Sequence, residues 1–111
     1  MSFKIFRTPE FSKHLKQLSK KYPSIKKDYE TLLFALSHEP LQGQPLVQNC
    51  FKIRWNITFK KSGKRGGARV ITFVKIEAET ITLLDVYDKS EKDTLSPKEL
   101  QSLLKQTSGN V

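Results

Sequence analysis

Residues 51–60 read FKIRWNITFK, with Phe51, Ile53, Trp55, Ile57 and Phe59 alternating with Lys52, Arg54, Asn56, Thr58 and Lys60. A period of two is the repeat of a strand with one apolar and one wet face, so this run predicts a strand buried on one side. A glycine-rich stretch follows, and then Ala68 to Ile76, apolar and β-branched as a central strand should be. Thr80 to Tyr87 supplies a third strand. Short links between the three runs predict an antiparallel meander.

Upstream, Phe3 to Phe6 is a short apolar segment that reads as a first strand, and Thr8-Pro9-Glu10 supplies a cap, a first-turn proline and an N-terminal acid. Phe11, Leu15 and Leu18 fall at i, i+4, i+7 and make one helical stripe that ends near Lys21. Pro23 restarts the pattern, and Ile25, Tyr29, Leu32, Leu33 and Leu36 carry a second helix towards Pro40, which a helix interior cannot accommodate. The brief link between these helices predicts an antiparallel hairpin whose joint stripe needs a sheet to cover it. Leu41 to Asn49, polar and containing Gly43 and Pro45, reads as a surface connection. Ser96-Pro97-Lys98-Glu99 is a capping box ahead of Leu100, Leu103 and Leu104, and Thr107 to Val111 reads as a frayed tail. The order β-α-α-β-β-β-α describes an α+β domain over residues 1–111: an antiparallel sheet, two N-terminal helices packed on one side and a short C-terminal helix.

Twenty Lys and Arg against eleven Asp and Glu give a net charge of +9 over 111 residues, a field that attracts polyanions and makes nucleic acid the leading partner class. The charge is uneven. Residues 39–75 hold eight basic groups and one acidic, and from Lys52 to Lys75 there is no Asp or Glu at all. Lys52 and Arg54, two apart on a strand, project from one face, and Arg69 opens the neighbouring strand, so three cations converge on one patch. Like charges side by side destabilise a sheet, which points to an anionic ligand that offsets them. Lys60, Lys61, Lys64 and Arg65 extend the basic tract as candidate RNA contacts, although a loop of this kind is also what an ordinary solvated surface carries.

Cys50 is the only cysteine, so no internal disulfide forms, and no Cys/His pair has zinc-ligand spacing; a metal-free, cofactor-free domain is expected. Met1 to Arg7 is too short and too charged for a signal-peptide core or a membrane span, which predicts a cytoplasmic chain. Trp55 and Phe73 sit on apolar alternation and read as core, and His14 and His38 lie apart from the basic strand with no assigned role.

The segments FKIRW, GKRGGARVITFV and ITLLDVYDKSEKDTLSPKEL, preceded by two short helices, resemble the RelE/ParE toxin superfamily, and most of all its HigB-like branch. The likeness covers nearly the whole chain. It implies a toxin of a type II toxin–antitoxin pair, a metal-independent endoribonuclease that cuts mRNA on the translating ribosome and is silenced by a cognate antitoxin, here expected to be a helix-turn-helix protein. By position, Lys52 and Arg54 match the family's basic pair, Arg69 its central arginine, and Lys89 a place where a basic residue or histidine commonly stands. Where some relatives have a C-terminal tyrosine or histidine, this chain has Leu95.

The chemistry implied is attack of a ribose 2′-OH on the adjacent phosphodiester, which needs a base, an acid for the 5′ oxygen and cations for the charge on phosphorus. Arg54 and Arg69 suit the last task, because a guanidinium grips phosphate bidentately and stays charged. Lys52 is a candidate base, since neighbouring like charge favours loss of an ammonium proton, and Asp88 or Glu91 is its rival. Lys89 or Lys92 is the candidate acid, and Tyr87 a candidate to stack on a base or lend its hydroxyl. The bland reading of residues 88–92 is a solvated, mutually paired turn. Two alternatives stay open: a ParE-like toxin acting on DNA gyrase, and a catalytically inactive RNA-binding module.

Overall fold

A computed structural model of the chain describes residues 3–60, 67–92 and 94–108. The elements are β1 (Lys4–Arg7), α1 (Pro9–Lys21), α2 (Ile25–His38), β2 (Gln44–Pro45), β3 (Cys50–Trp55), a 3₁₀ turn (Thr58–Lys60), β4 (Ala68–Lys75), β5 (Thr80–Asp88) and α3 (Pro97–Ser108). The five strands form one sheet in the order β1-β5-β4-β3-β2.

The expected meander is present, with β3 antiparallel to β4 and β4 antiparallel to β5. The sheet as a whole is mixed, because β1 runs parallel to β5, Lys4 facing Thr80 and Arg7 facing Leu83. The helix pair carries the chain from β1 at one edge of the sheet to β2 at the other, and β3 to β5 then fill in back to β1, so first and last strands meet in parallel. Thr8 then turns the chain: its Oγ1 accepts the Phe11 N–H (3.0 Å) and donates to the Leu84 carbonyl (2.8 Å), so one side chain caps α1 and fastens it to β5.

Alternation along the strands sorts the core into two layers. Ile53, Trp55, Ala68, Val70, Val74, Ile81, Leu83 and Val86 pack under α1 and α2 with Phe11, Leu18, Ile25, Leu32 and Leu36. Cys50, Ile71, Leu84 and Tyr87 point the other way and are covered by Leu100 and Leu103 of α3. Helices therefore lie on both faces, α1 and α2 together on one side as expected and α3 on the other. Each fully buried Phe, Leu or Ile contributes about 1.5–3 kcal/mol, which makes both layers substantial.

Two further expectations are corrected. The segment 41–49 is not only a connection, for Gln44 and Pro45 add an edge strand paired with Lys52 and Phe51. The alternation 51–60 does not continue as one strand. β3 stops at Trp55, Ile57 stays fully buried, and Phe59 is 55% exposed. Asp28 of α2 ends the strand: its carboxylate accepts the Thr58 N–H (2.9 Å) and hydroxyl (2.7 Å), while its carbonyl accepts the Trp55 indole N–H (3.2 Å). These bonds bend the chain into the 3₁₀ turn. At the C-terminus α3 runs through Thr107 to Ser108, and residues 109–111 lie outside the described residues.

Candidate functional site

On β3, Lys52 and Arg54 share the parity of Cys50 and so stand on the α3 side of the sheet, opposite to Ile53 and Trp55. The register puts Arg54 directly against Arg69 of β4, and Arg69 directly against Tyr87 of β5. Lys52 stands one step along, against Ile71. Lys89, just past β5, joins them: Lys52, Arg54, Arg69 and Lys89 line one open cavity of about 620 Å³, together with Gln42, Gly43, Gln44 and Ile53. Among the described residues four cations and no carboxylate line it, so the cavity suits an anion.

The backbone around it is held closely. Gly43 has φ +97°, and a Cβ there would stand 2.5 Å from the Lys52 carbonyl oxygen, so only glycine lets β2 lie this close to Lys52. A Cβ on Gly67 would stand 2.3 Å from the Trp55 carbonyl oxygen. The Gly67 carbonyl in turn accepts the Lys89 N–H (3.1 Å), which ties the start of β4 to the residue after β5. Arg69 is only 6% exposed, and its Nη1 donates to the Ala68 carbonyl (3.1 Å), so the guanidinium is partly desolvated and oriented from below.

The remaining candidates are dispersed. Lys60 is turned away from the cavity, its ammonium 2.8 Å from Asp88 Oδ1 and only 12% of its side chain exposed. Lys92 pairs with Glu99 of α3 and sits 5.7 Å from the Tyr87 ring centroid, facing a groove shared with His14 and Asp85. That ammonium holds the Glu99 carboxyl down to about 2. Tyr87 is 7% exposed and packs with the α3 layer. Lys61, Lys64 and Arg65 lie outside the described residues. Of the rival bases, Glu91 is paired with Lys21 at 2.8 Å. Asp88 accepts from Lys60, from the Tyr22 hydroxyl (2.6 Å) and from the Ser90 N–H (2.9 Å) and hydroxyl (2.7 Å). Burial opposes its ionisation, but these donors win and hold the Asp88 carboxyl well below the usual carboxylate range. A carboxylate so reluctant to take a proton is a poor base.

Sequence reasoning gave His14 no role, yet its Nδ1 lies 2.6 Å from the buried Asp85 carboxylate, which also accepts the Val86 N–H. The available signal was Asp85 itself, a carboxylate inside the apolar run ITLLDVY, which burial obliges to find donors. Cys50 is fully buried, and burial pushes its thiol up to about 11, so it packs and does not react. Among the described residues no group of three His, Cys, Asp or Glu side chains is placed to hold a metal ion, and no helix is long and apolar enough to cross a membrane.

No protein-family model and no curated protein matches the chain. Solved structures do. The RelBE2 toxin–antitoxin complex of Mycobacterium tuberculosis aligns at TM-score 0.60 and 23% identity over 79% of this chain and 92% of the other. The free-state Escherichia coli toxin RelE, carrying two arginine-to-alanine changes, aligns at TM-score 0.56 and 14% identity over 100% of this chain and 99% of its own. The fold is that of RelE toxins. A metal-bound toxin from Helicobacter pylori shares it at TM-score 0.51 and 19% identity over 80% of this chain and 97% of that one. On this RelE-like fold the cationic cavity sits where β3 and β4 meet the segment after β5, flanked by the edge strand β2.

Proposed function

We propose that this chain is the cytoplasmic toxin of a type II toxin–antitoxin pair, of the HigB-like branch, and that it cleaves mRNA on the ribosome as a metal-independent endoribonuclease. The observation that carries the reading is the shared cavity of Lys52, Arg54, Arg69 and Lys89, with no carboxylate among the described residues of its lining. In the proposed step the 2′ oxygen bonds to phosphorus, the bond from phosphorus to the 5′ oxygen breaks, and a 2′,3′-cyclic phosphate and a 5′-hydroxyl result. Lys52 takes the 2′ proton and Lys89 gives one to the leaving oxygen. Arg54 and Arg69 hold the two non-bridging oxygens, where guanidinium donors stabilise the charge that develops on phosphorus. Lys92, engaged with Glu99 on another groove, has no part in this assignment. The RelBE2 likeness supports an antitoxin as partner.

Expression of the protein alone should arrest growth with loss of full-length mRNA, while plasmid supercoiling stays unchanged and chelation of divalent metals leaves cleavage by the purified protein on programmed, crosslinked ribosomes unaltered. Intact transcripts together with altered supercoiling would instead support the gyrase-directed reading.

A further inference from the structure

The densest polar contact in the described chain lies outside the cavity, at the end of β5. Asp88 has a fully buried side chain whose two oxygens accept from three segments: Lys60 of the 3₁₀ turn (2.8 Å), Tyr22 at the end of α1 (2.6 Å), and Ser90, through both its N–H and its hydroxyl. Lys21 adds a longer contact at 3.4 Å. The Asp88 carbonyl accepts the N–H groups of Glu91 and Lys92, both at 3.0 Å, so side chain and backbone together wind residues 88–92 into one turn. Lys89 lies inside that turn and, unlike Lys52, Arg54 and Arg69, is not carried by a strand. Its backbone is joined to Gly67, two residues before Arg69.

We infer that Asp88 is a positioning residue: its carboxylate fixes the turn that presents Lys89 to Lys52, Arg54 and Arg69, and Lys60 is a strut of that arrangement, not an RNA contact. A charged hub is suited to this, because a buried carboxylate with four short donors tolerates few other geometries. Lys89 otherwise depends on a turn, the class of segment whose position is least constrained by packing. The inference rests on the nuclease reading for its kinetic consequence, but the placement of Lys89 is measurable without it.

The test is a double-mutant cycle of Asp88→Asn and Lys89→Ala in ribosome-dependent mRNA cleavage, with amide hydrogen exchange on the same proteins. Asp88→Asn should lower kcat by roughly 10- to 100-fold, as small misplacements of a reacting group do, with KM within about twofold. The double variant should be no worse than Lys89→Ala alone. Exchange should quicken at Lys89, Ser90 and Lys92, while the amides of β4 and the body of β5 keep their protection. Effects that multiply, an unchanged kcat, or unchanged exchange at Lys89 would overturn the inference. If Asp88→Asn loses protection throughout, Ser90→Ala replaces it in the same cycle, with a smaller fall in kcat that must again vanish in the Lys89→Ala background. A wild-type protein that leaves mRNA intact refutes the nuclease reading, and the exchange pattern then decides the positioning on its own.

Discussion

Arg54 and Arg69 stand directly opposite each other on β3 and β4, on the same side of the sheet, with Arg69 almost wholly buried. Like charges in this position destabilise a strand pair by about 0.2–1 kcal/mol, so the sheet alone does not favour the arrangement. Arg54→Gln should therefore leave the melting temperature unchanged or raise it slightly, while Arg69→Ala lowers kcat/KM for mRNA cleavage by roughly two to three orders of magnitude with the fold intact. A folded, fully toxic Arg69→Ala protein would remove the cavity from consideration as the reaction site.

If the cavity grips single-stranded RNA through Arg54, Arg69 and Lys89, with Lys52 as the neutral amine that serves as base, affinity for a short oligonucleotide should fall with salt on a log–log slope of roughly −2, since each phosphate contact contributes about −0.7. Arg54→Ala should flatten that slope by about 0.7. A slope near zero, measured by fluorescence anisotropy, would mean that the phosphates are not held here.

Gly43 has the backbone that L-residues avoid, and no room for a Cβ against Lys52. Gly43→Ala should lose about 1–3 kcal/mol in urea unfolding, and cleavage should fall too because β2 is pushed from the cavity. Equal stability of the two proteins would show that the edge strand moves freely.

Asp88 links stability to acid. Its carboxyl lies below the usual range when folded and near the ordinary value of about 4 when unfolded, so its stabilisation is full above that value and is lost as pH falls below it. Asp88→Ala removes the carboxylate that pairs with the largely covered Lys60 ammonium, and should cost up to about 3–5 kcal/mol at neutral pH. Denaturant titrations should show the gap between wild type and variant narrowing as pH drops below about 4. A gap constant down to pH 2 would mean that the carboxylate is not ionised in the native protein.

Much of this molecule is local and therefore readable in one dimension. Thr8-Pro9 starts α1, the leucine and isoleucine spacing makes both N-terminal helices, and strand parity alone puts Lys52 and Arg54 on one face. The two-residue repeat is a property of the backbone, so the cationic strand was visible before any partner was known. The same logic failed at Phe59, because what ends β3 is Asp28, thirty residues away from Thr58, and no local pattern records such a capture.

Tertiary structure alone decided the rest. The parallel pairing of β1 with β5 and the position of α3 on the far face follow from which apolar surfaces remain uncovered once the meander has formed. Lys89 and Lys92 are indistinguishable in the sequence DKSEK, and the turn wound around Asp88 puts one beside Arg69 and the other against Glu99. Charge, periodicity and capping are written residue by residue, so sequence determined the elements and the basic face. Which lysine lines the cationic cavity depends on hydrogen bonds between segments as distant as Tyr22, Lys60 and Asp88, and those exist only once the chain has closed.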